Sequence, residues 1–151
     1  MTRHAEWIGA YLTEAGLHGA LIAERQDDRN FGNAETIYQV GGLLLRFLRD
    51  RGQDFLDIAP AAEPEQFYHF EDVEAAMNWV AAKANLAPEG PEEISKVIAR
   101  MSARVPSLES AFDAQNGSAT KAKIASVSAV RGAAARRRFW MASRAERNSS
   151  K

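Results

Sequence analysis

Hydrophobic positions along the chain keep changing their period, and each change marks an element. Between Thr2 and Ala15, Trp7, Ile8, Tyr11, Leu12 and Ala15 recur at spacings of three and four, the stripe of an amphipathic helix. Thr2 is placed to cap its start, and Gly16 sits where a left-handed residue ends a helix. The next block carries strand signals. His18–Gln26 is a short apolar run fading into charge, and Glu35–Val40 is rich in β-branched and aromatic residues. Leu43–Asp50 puts Leu43, Leu45 and Phe47 on one face, and Gln53–Ile58 follows as a further strand. Gly41-Gly42 reads as a turn or as a bulge in one longer strand. Asp50-Arg51-Gly52 is turn chemistry.

Beyond Ile58 the period lengthens again. Ala59–Gln66 is a proline-bearing loop, and Phe70–Lys83 returns to helical spacing through Phe70, Val73, Met77 and Val80. Glu71, Asp72 and Glu74 sit near its start, where a helix dipole favours acids. Pro91 opens a helix carrying Ile94, Val97, Ile98, Met101 and Val105; Pro106 begins a short helical turn with Leu108, Ala111 and Phe112. Asn116-Gly117 breaks the chain before a last helix with Ile124, Val127 and Val130. The expectation is an α+β fold with a small, mainly antiparallel sheet of three to four strands, flanked by an N-terminal helix and C-terminal helices. As boundaries, 1–16 is the first helix, 17–59 the sheet and 67–147 the helical part of one domain, with 148–151 a frayed tail.

Composition narrows the chemistry. The 151 residues contain no cysteine, which excludes disulfides, thiolate metal sites and a cysteine nucleophile. The opening residues carry Glu6 and Glu14 and lack a signal-peptide core, and Val40–Leu45 is too short to span a bilayer. The expected setting is therefore cytoplasmic, with no membrane partner. The net charge of −1 conceals an asymmetry. From Ser118 onward nine basic residues face one acid, giving +8 and leaving −9 on residues 1–117.

Candidate chemistry is sparse. His4, His18 and His69 fall in three different elements, none at metal-ligand spacing, and no catalytic or phosphate-binding motif is present. Asp50, Asp54 and Asp57 surround the Gly52 turn and would offer oxygen ligands to Mg²⁺ in a metal-dependent enzyme. In a strand, however, Asp54 and Asp57 point to opposite faces, and Arg46, Arg49 and Arg51 stand ready as cross-strand partners. Arg136-Arg137-Arg138 before Phe139-Trp140 suggests phosphate and base contacts, hence a nucleic-acid-binding or regulatory alternative; the sequence pI of 6.3 weighs against it. Aromatic and arginine residues also anchor protein interfaces. On that ground Tyr38, Arg46, Arg49, Asp50, Arg51, Asp54, Asp57 and Trp79 are candidate partner-binding residues. No catalytic, metal or cofactor-binding residue is assigned, and no cofactor.

Asn30-Phe31-Gly32-Asn33-Ala34, followed by Leu45-Arg46-Phe47-Leu48-Arg49-Asp50-Arg51-Gly52-Gln53, resembles a group of small bacterial proteins that look like immunity proteins of polymorphic or contact-dependent toxin systems. The likeness covers most of residues 17–140, including Ala111-Phe112-Asp113 and Arg138-Phe139, and its motifs are structural in kind. It implies a non-enzymatic module that occludes a toxin. A −9 body suits a cationic partner encoded nearby, because complementary potentials speed association.

Overall fold

The chain was described from a computed structural model, which describes residues 1–27, 29, 32–79 and 92–131. Helix α1 (Arg3–Glu14) begins where the Thr2 hydroxyl accepts from the Ala5 N–H at 3.1 Å. It ends as Gly16 N–H bonds to Thr13 and Leu17 N–H to Leu12, the paired closure of a left-handed C-terminal cap.

Strands β1 (Ala20–Asp27), β2 (Asn33–Val40), β3 (Leu43–Asp50), β4 (Gln53–Pro60) and β5 (Tyr68–His69) form one antiparallel sheet in sequence order. It has one strand more than the sequence suggests. The addition is the two-residue β5, too short to leave a periodic signal, which pairs Tyr68 with Ile58 and His69 with Asp57. Ala59 and Pro60 also continue β4 rather than opening a loop. Gly41-Gly42 is a turn, not a bulge, since Val40 pairs directly with Leu43. Among the described residues an irregularity lies instead in β1, between Leu21 and Ala23. Arg51 and Gly52 both take positive φ (53° and 80°), the two-residue geometry that matches strand twist, and an Asn33 side chain accepts from the Arg51 N–H at 3.1 Å.

Helices α2 (Phe70–Ala76), α3 (Ile94–Ser102), α4 (Val105–Ala111) and α5 (117–131) follow. The helix expected over Phe70–Lys83 stops early within the described residues. Asn78 adopts φ 59°, its N–H bonding to Ala75 and that of Trp79 to Glu74, so the chain turns out of the helix; Val80–Lys83 lie outside the described residues. The closing segments at 132–147 and 148–151 lie outside them too.

Alternation then decides the layering. The inner face of the sheet carries Tyr38, Val40, Leu43, Leu45, Phe47, Leu56 and Ile58, all buried in the core. Ile8, Leu12, Phe70, Val73, Ile98, Met101, Leu108 and Ile124 from the helices meet them there. Trp7, expected in the α1 stripe, is instead half exposed; His4 and Ala5 are buried in its place. Every described helix that joins the hydrophobic core does so on this one side; on the opposite face Leu44, Asp57 and Ala59 are buried as well.

Candidate functional site

Asp54 and Asp57 are three residues apart on β4 and therefore leave the sheet on opposite sides, as strand geometry requires. Each is met by an arginine directly across on β3: Arg49 opposite Asp54, Arg46 opposite Asp57. Each is also met by a histidine from outside the hairpin. The sheet thus carries the same arginine–aspartate–histidine set twice, once on each face.

On the inner face, Arg49 holds Asp54 through Nη2 at 2.9 Å and Nε at 3.3 Å, and its guanidinium lies 4.5 Å over the Trp7 ring. His4 Nε2 lies 2.9 Å from Asp54 and its Nδ1 lies 2.7 Å from the Thr36 hydroxyl. Burial alone would raise the Asp54 carboxyl, but hydrogen bonds from His4 and Arg49 outweigh it and hold the group below its ordinary value. An ionised carboxylate only accepts, so Nε2 donates to it, and in the neutral ring Nδ1 accepts from Thr36. The order Thr36–His4–Asp54 has the form of a hydroxyl-nucleophile relay. Thr36 is 0% exposed and His4 3%, so no substrate can reach the hydroxyl. The cluster instead ties α1 to the sheet across 32 and 50 residues of sequence.

On the outer face the same set meets solvent. Arg46 holds Asp57 at 2.8 and 3.2 Å, and His69 Nδ1 lies 3.3 Å from the other carboxylate oxygen. Burial pushes the Asp57 carboxyl up, but the hydrogen bonds from His69 and Arg46 prevail and it ends below its usual range. Hydrogen bonding to Asp57, with Glu71 behind it, raises the His69 imidazole to about 9, so it is a fixed cation at neutral pH. His69 Nε2 is 3.7 Å from Glu71, too long for a hydrogen bond but close enough for charge attraction. That imidazole, then Arg131, bring Glu71 down to about 2. Arg131 of α5 binds Glu71 at 2.7 Å and Asp72 at 2.9 Å.

Strand register lines up the outer face as rows. One runs Ala23, Ile37, Arg46, Asp57, His69; its neighbour runs Arg25, Glu35, Leu48, Phe55. Phe67 joins them, its ring 4.2 Å beneath the Arg46 guanidinium. Ile37, Leu48, Phe55 and Phe67 are all half buried. Aromatic and aliphatic side chains interleaved with Arg46, Asp57 and His69, which are already fixed by one another, make a surface that loses little entropy when covered.

The sequence-based candidates scatter over this frame. Arg46 and Asp57 lie at the centre of the outer face, while Arg49 and Asp54 belong to the inner cluster. Asp50 and Arg51 are exposed at the β3–β4 turn. Tyr38 is a correction: it is 5% exposed on the inner face and donates its hydroxyl proton to the Ala5 carbonyl at 2.7 Å, so it presents nothing to a partner. Trp79 packs at the core margin, with Arg104 5.1 Å over its ring. The three aspartates are not brought together, and among the described residues no three His, Asp or Glu side chains gather around a metal-sized space. Arg136–Arg138, Phe139 and Trp140 lie outside the described residues; of the basic segment, Lys121 pairs with Glu63 and Arg131 with Glu71 and Asp72.

Sequence reasoning missed His4, Thr36, His69 and Glu71. Two left a signal: Thr36 stands in the apolar column of β2, and His4 precedes Ile8 and Leu12 by one and two helical turns. Among the described residues, no helix is long and apolar enough to cross a membrane. No protein-family model, no curated protein and no solved structure matches the chain.

Proposed function

We propose that this chain is a non-enzymatic protein-binding module, an immunity-type protein that acts in the bacterial cytoplasm by covering a toxin. The observation that carries the reading is the outer sheet face, where the partly exposed Ile37, Leu48, Phe55 and Phe67 surround a row of paired charges. Interfaces take their energy from a few such aromatic and arginine anchors. The −9 charge on residues 1–117 favours a cationic partner, by steering encounter more than by adding affinity.

Affinity capture with the tagged full chain from its native host tests this. The expected result is one stoichiometric protein that arrests growth when expressed alone and is harmless when co-expressed with this chain. Phe55→Ala and Arg46→Glu, both on the outer face, should each weaken capture at least tenfold while the fold is retained by circular dichroism. Capture that is indifferent to both substitutions, or a captured protein with no toxicity, would overturn the reading.

A further inference from the structure

We infer that Glu35 is the residue by which the outer sheet face chooses its partner, taking a lysine or arginine whose aliphatic stem lies across Leu48. The inference rests on the reading of that face as a protein-docking surface and names the chemistry it selects. The central charges of the face are already committed, since Arg46 and His69 both bind Asp57. A partner ion approaching any of the three would have to displace a bond that exists. Glu35 is different. It is partly buried, and its carboxylate makes no ion pair or hydrogen bond among the described residues.

Register places Glu35 amid the apolar part of the face. It lies directly across from Leu48 of β3, which in turn lies directly across from Phe55 of β4. Ile37 stands two residues along β2 and projects to the same side. Side chains directly opposite are roughly 5 Å apart at Cβ, so the carboxylate borders aliphatic surface. Covering such a surface strips water from the carboxylate, and a paired cation is what offsets that loss. Lysine and arginine suit the place because the stem packs on Leu48 while the charged head reaches the carboxylate. An apolar or acidic partner would leave the charge stranded, so Glu35 rejects as well as accepts. On its other side Arg25 of β1 faces Glu35 across the strands, exposed and without an ion pair to it. Arg25 carries the same charge as the incoming cation and therefore limits its affinity.

The probe is a short capped amphipathic peptide of leucine and lysine, titrated into the ¹⁵N-labelled full chain. The same peptide with glutamine at every lysine is the control. Shift changes are expected around Glu35, Leu48 and Phe55, with the lysine peptide binding about fivefold tighter than the control. Glu35→Gln should remove that difference, and Arg25→Gln should enlarge it. Glu14→Gln, which removes an exposed acid of α1, should leave it unchanged and so separates a local contact from a loss of net charge. No binding, shifts centred elsewhere, indifference to Glu35→Gln, or an equal loss in Glu14→Gln would each overturn the inference. So would weaker binding in Arg25→Gln, which would make Arg25 the cation that Glu35 uses. Capture of a host toxin that survives Glu35→Gln strikes this inference and leaves the proposed function standing; capture of none bears on the proposed function alone.

Discussion

The two arginine–aspartate–histidine sets differ in almost nothing but the side of the sheet they occupy. The arginines are equally exposed at 29% and both carboxylates are largely buried; the histidines differ, the His4 side chain being 2% exposed and that of His69 35%. The same groups acquire different consequences from solvent access. Inside, a broken pair strands a charge or a ring nitrogen where water cannot replace the partner, so the set acts as a joint between α1 and the sheet. Outside, water re-solvates whatever is left, so the set costs the fold less and remains available for contact.

The contrast can be broken most sharply at Asp54. Asp54→Asn should cost about 3 kcal/mol in denaturant-derived stability, because the charge is lost and one acceptor oxygen becomes an N–H donor against His4, whose ring water cannot reach, or against Arg49. Asp57→Asn should cost about 1 kcal/mol, since the His69 ring, unlike that of His4, reaches water. Equal losses would erase the distinction between the faces. Thr36→Val, nearly isosteric, removes the hydroxyl facing His4 Nδ1 and should cost about 1–2 kcal/mol by the same measurement.

Titration sharpens the comparison. The folded pKa of His69, about 9, lies above the ordinary 6.5. Its stabilising contribution is therefore complete below pH 6.5 and disappears as pH rises through 9. Thermal melts between pH 6 and 10 should show a loss on the order of 1 kcal/mol after allowance for solvent screening, absent in His69→Gln. Glu71 acts in the opposite sense. Held near 2 against an ordinary 4.5, it contributes above pH 4.5 and is lost as pH falls through 2. The smallest effect is expected for Arg131→Ala at neutral pH, below about 0.5 kcal/mol, because its bridges to Glu71 and Asp72 are partly exposed. A loss as large as that of Asp54→Asn would mean that α5 is anchored electrostatically rather than through Ile124.

What could be read from the sequence was whatever a local period encodes. The sheet was legible because Thr36, Tyr38 and Val40, then Leu43, Leu45 and Phe47, alternate faithfully, and because Arg51-Gly52 has few conformations besides a tight turn. Opposite facing of Asp54 and Asp57 followed from strand geometry alone. The length of α2 did not, because the apolar spacing runs on to Val80 past an Asn78 that leaves the helix. Both histidines escaped for a different reason. Their partners are 50 and 12 residues away, and such pairings come from the crossing of α1 over the sheet and the return of β5, which no window on the sequence contains. Tyr38 misled because an aromatic residue reads alike as a contact and as core.

The sheet order has a kinetic consequence. Each strand pairs with its immediate neighbour in the chain, four hairpin-like steps with no crossover. Assembly can proceed by successive short closures, each sacrificing little chain freedom before it gains contacts. Such a topology belongs to the faster-folding part of the β repertoire, because no strand has to wait for a distant partner before it can pair.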